Sequence, residues 1–365
     1  MPLIAYQRAH GGNDFPLHYA MLAAMDRRGI LDRYDFAIDP SLDLSYALAL
    51  TQRFPQLRLT TSVSRAARLT AFLQRHGLKG AKYAVHADNR FDAVCEAPGG
   101  RIHPHYSHGN SIFWAYPRTA KRAILFHSIE PGVLAQPRVR ESIASCQLVI
   151  VRTEESAANA LKAGVADKNL VRASDIAFTT DLSGNAHRPG IAAALRVPDA
   201  HAPESYKAEL IRIMDHLETL NTPIDHTRIE FQLGEEQVRR GYGALTVPNV
   251  QLWSGDYVYV PFRAPRDAII SCRLHTTILA LLAGNRAILQ FQIEPGTSKL
   301  QQIYDDLGLS SLPVRPREEL TLDTVREFLA NPPLLPEAEV QNAIATARRK
   351  DEAALDRLEE WLATV

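Results

Sequence analysis

Cys272, Arg273, Leu274 and His275 stand between a β-type apolar run, Asp267 to Cys272, and a helical pattern that begins at Thr276. A guanidinium fork matches the oxygens of a carboxylate or phosphate, and the first turn of a helix adds free N–H groups and the positive end of its dipole. Histidine titrates near neutrality, so the same turn can also give or take a proton. These are the groups needed to hold an anion and move a proton beside it. Taken alone, an arginine paired with an acidic neighbour and a histidine capping a helix would explain the same letters.

Three other sets of residues invite chemistry. His103, His105 and His108 form an HxHxxH run beside Tyr106, between Pro104 and Gly109. No Cys or Glu stands nearby with ligand spacing, so the expectation is a loop that is solvated or whose His103 and His105 touch an acceptor, with no metal bound. Gly11 and Gly12 follow the first apolar run, but the GxGxxG pattern is incomplete and no dinucleotide cofactor is expected. Trp114, Trp253 and Tyr257 could stack on sugar faces, although aromatic residues at such positions more often belong to a core or its rim.

The elements that must position these groups follow from periodicity. Short β-type runs alternate with helical patterns: Leu3 to Gln7, a helix from about Phe15 to Arg28, Tyr34 to Ile38, a helix near 44–52, Leu57 to Thr61 and a helix from Val63 to His76. Runs at Lys82 to His86, Ala123 to His127 and Leu148 to Arg152 continue the series, with a helix from Glu154 that Gly164 closes. This βαβ rhythm predicts a parallel sheet covered by helices on both faces. After the turn-rich stretch Thr179 to Gly190 the rhythm restarts, with runs at 191–197, 228–233, 267–272 and 287–291 and helices at 204–220, 235–242, 276–283 and 299–307. One long helix, Pro336 to Thr364, ends the sequence.

The chain of 365 residues is long enough for two cores, and its 46% hydrophobic and 22% charged composition is that of globular domains. The expected organisation is α/β, with two Rossmann-like doubly wound domains, residues 1–185 and 186–335, followed by a terminal helix over 336–365.

Basic and acidic residues number 41 each, so no overall field favours nucleic acid or an anionic membrane, and an anion must be met by a local cluster. Three cysteines without CxxC spacing fit a reducing compartment. The N-terminus lacks a signal-peptide pattern, and no apolar stretch approaches the roughly 20 residues of a membrane span. The expectation is a cytoplasmic protein.

The segment Ile269 to Gly284, IISCRLHTTILALLAG, followed by Ala287 to Gln290 and Lys299, resembles the signature of the polysaccharide pyruvyl transferase family. Separate words agree in order: Gly11 to Asp14, FHSIEPG from Phe126, VRTEES from Val151, Asp175 in ASDIAF, and Arg196. Three words depart from the family pattern: a residue usual between Asn13 and Asp14 is missing, Pro131-Gly132 stands in reversed order, and VRTEES carries one extra residue in the Arg-Glu-Ser element.

The resemblance implies a GT-B-like arrangement with the two domains facing across a cleft, 1–185 on the acceptor side, 186–335 on the donor side and the helix 336–365 packing back on the first. It also implies transfer of pyruvate from phosphoenolpyruvate onto two hydroxyls of a sugar, as a cyclic ketal, with release of phosphate. The acceptor would be a surface polysaccharide or its precursor, and a lipid-linked oligosaccharide would bring the enzyme to the inner face of the membrane. Arg152, Arg196, Arg273 and Lys299 would hold the donor, His275 and Asp14 would serve as general acid and base, and Asn13 would meet the acceptor. No cofactor beyond the donor is implied. The alternative is a nucleotide-sugar-dependent glycosyltransferase of the same fold, with Arg273 and Lys299 on a diphosphate.

Overall fold

The computed structural model describes residues 1–7, 15–38, 50–62, 83–86, 91–102, 113, 120–182, 184–195, 204–220, 224–226, 264–292 and 299–365. These fall into two compact units, one of residues 1–179 with 347–365, the other of the described residues between 180 and 346. The first unit therefore ends at Thr179, short of the expected boundary at 185, and takes the end of the chain with it.

The first unit holds strands β1 (Leu3–Gln7), β2 (Asp35–Ile38), β3 (Arg58–Ser62), β4 (Tyr83–His86), β5 (Ala93–Glu96), β6 (Gly99–Ile102), β7 (Lys121–Ile129), β8 (Leu148–Val151) and β9 (Leu170–Arg172). They join in the order β4-β3-β2-β1-β5-β7-β8-β9, with β6 on the far end of β7, and every pairing is parallel. Such a sheet is covered on both faces, which is why β5 and β8 are buried at every residue instead of alternating. β1 has β2 on one side and β5 on the other, so the strand order reverses at the gap between β1 and β5.

Among the described residues of 1–179, four helices accompany this sheet: α1 (Phe15–Arg27), α2 (Ile30–Arg33), α3 (Pro137–Ala144) and α4 (Glu154–Ala163). Thr153 caps α4 by accepting the Ser156 N–H, and Gly164 ends it at φ 102°, a left-handed conformation that a side chain would strain.

The second unit is a five-stranded parallel sheet built from β10 (Ile191–Ala194), β11 (Ile224–His226), β12 (Ala268–Ser271), β13 (Ile288–Gln292) and β14 (Val314–Pro316). Its order is β11-β10-β12-β13-β14, with a reversal between β10 and β12. Among the described residues its helices are α5 (Glu204–Thr219), α6 (Leu274–Leu282), α7 (Lys299–Asp306) and α8 (Leu322–Ala330). One apolar cluster joins Leu210, Ile213 and Leu217 of α5 to Ile270, Leu289 and Phe291 of the sheet and to Val325 and Phe328 of α8.

The last helix, α9 (Glu337–Leu362), is docked on the first unit from Ala347 onward. Arg28 reaches Glu352, Asp356 and Glu359 at 2.5, 2.7 and 2.8 Å, Arg33 reaches Glu359 at 2.6 Å, and Arg348 donates to the Phe178 carbonyl at 3.0 Å. Leu355, Leu358 and Leu362 are buried beneath these pairs.

β5, β6, β9, β11 and β14, none longer than four residues, have no counterpart among the expected runs, nor do α2, α3 and α8 among the expected helices. Strands of three or four residues are too short to show an alternation. The expected helices at 63–76 and 235–242 and the run 228–233 lie outside the described residues, as does most of the helix near 44–52.

Candidate functional site

Strand β12 lies between β10 and β13 and is buried at every residue. The chain leaves its carboxyl end through Cys272 and Arg273 and enters α6 at Leu274. In open α/β sheets ligands bind outside the carboxyl ends of the strands where the order reverses. Arg273 and His275 occupy that place in the second unit, because the reversal falls between β10 and β12.

Arg273 has extended backbone at the N-cap of α6, and its own side chain makes no capping bond. Its residue is 8% exposed, so the guanidinium is held in a site largely closed to water, while His275 is half-buried. The turn is fixed from below: the Arg273 N–H donates to Ser271 Oγ at 3.0 Å, and the Arg273 carbonyl accepts from Thr276 Oγ1 at 2.9 Å. The helix behind it is buried from Thr276 to Leu281 and is released at Gly284, φ 89°, with Asn285 donating back to Ala280. Lys299 opens α7 after β13, the next strand of the same edge; its side chain lies outside the described residues.

A second set of polar groups gathers at the carboxyl edge of the first sheet. In β7, Phe126 takes φ 51° although it is not glycine, and the pairing with β8 shifts register between Ile124 and His127. Left-handed backbone at a bulky residue costs about 1–3 kcal/mol and persists only where its surroundings enforce it. Here it turns His127 and Ser128 into the edge. His127 is fully buried and its Nε2–H donates to the Ala97 carbonyl at 2.5 Å.

Ser128 Oγ accepts from Arg152 Nη2 at 2.8 Å, and Arg152 Nη1 donates to Asp175 Oδ2 at 2.6 Å. Arg152 is 5% exposed and Asp175 fully buried. Both terminal nitrogens of Arg152, expected from the resemblance to meet the donor, are thus engaged by the protein itself. Ser174 donates its N–H to Asp351 Oδ1 at 2.8 Å, so α9 supplies a second buried carboxylate beside this pair. Burial pushes the Asp351 carboxyl well above the ordinary aspartate value and the neighbouring Asp175 raises it further, while the Ser174 N–H opposes the rise.

Of the expected site residues, Arg152 lies in the first unit, and Arg273, His275 and the backbone of Lys299 lie in the second. Asn13, Asp14, His103, His105 and Arg196 lie outside the described residues. His127, Ser128 and Asp351 were not anticipated as site residues: a lone serine or carboxylate in an apolar run carries no sequence signal until the sheet brings strand ends together. Among the described residues no group of three or more His, Cys, Asp or Glu could hold a metal ion, and no helix is long and apolar enough to cross a membrane. The three cysteines form no disulfide and are buried, and burial pushes the Cys95 and Cys146 thiols upward, away from the reactive thiolate. A cavity of about 290 Å³ in the second unit is lined by Leu289, Arg315, Phe328 and Asn331 and includes neither Arg273 nor His275.

Two doubly wound parallel units, each with a strand-order reversal, define the GT-B class of fold. The solved structures similar to this chain belong to that class. Staphylococcus aureus MnaA in its complex with UDP has a TM-score of 0.56 at 11% identity, over 100% of this chain and 98% of its own. Anabaena HepE with UDP-glucose has a TM-score of 0.54 at 12% identity over 100% of both chains. Neisseria meningitidis UDP-GlcNAc 2-epimerase bound to UDP-GlcNAc has a TM-score of 0.54 at 10% identity, over 99% of this chain and 100% of its own. At these identities the likeness is one of fold. No protein-family model and no curated protein matches the sequence.

Proposed function

We propose that this protein is a carbohydrate-active transferase that moves pyruvate from phosphoenolpyruvate onto two hydroxyls of a sugar, as a cyclic ketal, in a surface polysaccharide or its precursor. The observation that carries the reading is Arg273 and His275 together at the carboxyl edge of β12, at the strand-order reversal, on the first turn of α6. Phosphoenolpyruvate offers a phosphate and a carboxylate; Arg273 and the first-turn amides suit one of these groups, and Lys299 and Arg196 are the further cations the sequence offers for the other.

The chemistry balances without a covalent enzyme intermediate. His275, as general acid, gives a proton to the methylene carbon, leaving an oxocarbenium-like centre that the first sugar hydroxyl attacks as its proton passes to a base, for which Asp14 is the candidate. Departure of phosphate re-forms the cation, the second hydroxyl closes the ketal, and its proton leaves with phosphate or returns to the histidine. Arg152, paired with Asp175, serves by holding Ser128 and the edge of the first sheet in place.

The similar structures that carry UDP, UDP-glucose or UDP-GlcNAc support a second reading, a nucleotide-sugar enzyme in which Arg273 meets a diphosphate. Both readings make the protein an enzyme acting on sugars through an anionic donor. One experiment separates them: phosphate release and acceptor mass on mixing the protein with phosphoenolpyruvate and a panel of pyranosides, beside UDP-sugars, with His275→Ala as control. A gain of about 70 Da on the acceptor, the increment of a pyruvate ketal formed by this acid–base route, lost in His275→Ala, supports pyruvyl transfer. Stabilisation by a UDP-sugar, with phosphoenolpyruvate inert and without effect on melting, overturns it.

A further inference from the structure

The turn carrying Arg273 and His275 rests on four uncharged polar side chains that are each 0% exposed: Ser271, Thr276, Thr277 and Gln290. Ser271 ends β12, the threonines lie in the first turns of α6, and Gln290 comes from β13. The Arg273 carbonyl lies within reach of three hydroxyls, Ser271 at 3.0 Å, Thr276 at 2.9 Å and Thr277 at 3.1 Å.

A hydroxyl has one proton to give, so these contacts cannot all be donations at once. The Gln290 amide settles the direction. Its Nε2 donates to the Phe291 carbonyl at 3.1 Å, which turns Oε1, an acceptor only, toward the Thr277 hydroxyl. Thr277 therefore gives its proton to Gln290, and Thr276 supplies the Arg273 carbonyl. Ser271, which accepts the Arg273 N–H, gives its own proton to Thr276 Oγ1 at 2.7 Å. Both polar groups of the Arg273 main chain are thus tied into one circuit, Arg273 N–H to Ser271 to Thr276 to Arg273 C=O, and the helix turn beside it is latched to β13 by Thr277 and Gln290.

Such a network adds little stability over apolar groups of the same shape, because each buried hydroxyl and amide has first been taken from water. Its consequence is geometric: it fixes the backbone from which a guanidinium and an imidazole project. We infer that Thr277 and Gln290 are positioning residues for Arg273 and His275, acting through the main-chain turn that both share. The inference takes the Arg273–His275 turn as the reacting site, as proposed above, but does not depend on which donor it binds.

The test replaces both partners of the latch, Thr277→Val with Gln290→Leu, beside Thr277→Ser, in the full chain with isotope-labelled histidine; His275→Gln assigns the His275 signals. The double variant is expected to melt close to the wild type, since paired apolar replacement leaves no orphaned group. It is also expected to shift the His275 imidazole resonances and their titration, and to lower kcat with phosphoenolpyruvate about 10- to 100-fold while KM changes far less, as misplacement of a reacting group does. Thr277→Ser, which keeps the hydroxyl, should restore all three.

A folded double variant with wild-type His275 signals and titration overturns the inference, whatever the donor proves to be. If phosphoenolpyruvate is inert with the wild type, the donor assignment falls, while the His275 spectra still decide the positioning role. Should the double variant fail to fold, Thr277→Val alone opens the latch by losing one hydroxyl, and the same spectra decide.

Discussion

The backbone N–H of Ser174 donates to Asp351 Oδ1 at 2.8 Å, joining the end of the first sheet to the last helix, residues far apart in sequence that are both buried. The other carboxylate oxygen, Oδ2, has no hydrogen-bond partner among the described residues. A buried carboxyl in that setting is held more favourably as the neutral acid.

The sign of its pH effect follows. Asp351 binds its proton more tightly folded than unfolded, so the protein loses stability as pH rises from the ordinary aspartate value through the raised one. Asp351→Asn keeps an acceptor for Ser174 and removes the charge. Its melting temperature is expected to exceed the wild type at pH 8 by ~2–4 °C, corresponding to roughly 1 kcal/mol in a unit of this size, with the gap closing toward pH 4. A wild-type pH profile in the variant would contradict this.

Glu359, on the same helix, has the opposite sign. Hydrogen bonds from Arg33 and then Arg28 hold its carboxyl below the ordinary glutamate value, so its stabilisation is present above that value and is lost as pH falls through the lowered one. Arg28→Ala removes the hub shared by Glu352, Asp356 and Glu359 and should cost ~1 kcal/mol at low salt and less at high salt. Amide exchange along α9 at two ionic strengths measures it.

Arg152 offers a larger effect. Its removal leaves Asp175 buried without its cation and beside Asp351, and breaking such a pair from one side costs ~3–5 kcal/mol. Denaturant titration of Arg152→Ala should show that loss. Arg152→Met combined with Asp175→Asn, which removes both charges, should recover a large part of it.

Arg273→Lys tests the fork itself. Lysine keeps the charge but loses the planar pair of donors, so donor binding is expected to weaken by about 10- to 100-fold at a site needing bidentate recognition, with melting little changed. Calorimetric titration with phosphoenolpyruvate reads it directly; equal affinity in the two proteins would remove Arg273 from the donor site.

Much of the fold is written in local pattern. The βαβ rhythm, the Gly164 helix end, the Arg-Leu-His turn between β12 and α6 and the terminal helix are all legible, because each depends on neighbours within a few residues. The four-residue strand β5 is not, since burial at every residue erases its alternation, and β6 is too short to show one. Arg152 and Asp175 were readable as single polar letters at strand ends, but not as partners.

The sequence by itself determined two α/β units of parallel strands and a cation beside an imidazole at the start of a helix. Tertiary structure decided where that turn falls among the strands: at the reversal between β10 and β12, with its helix latched through Thr277 to Gln290 of the neighbouring strand. It also decided that Arg152 meets Asp175 and that Asp351 returns to Ser174. The reason is physical: strand order and buried hydrogen bonds join residues far apart in the chain, and no spacing along a single sequence encodes which strand lies beside which.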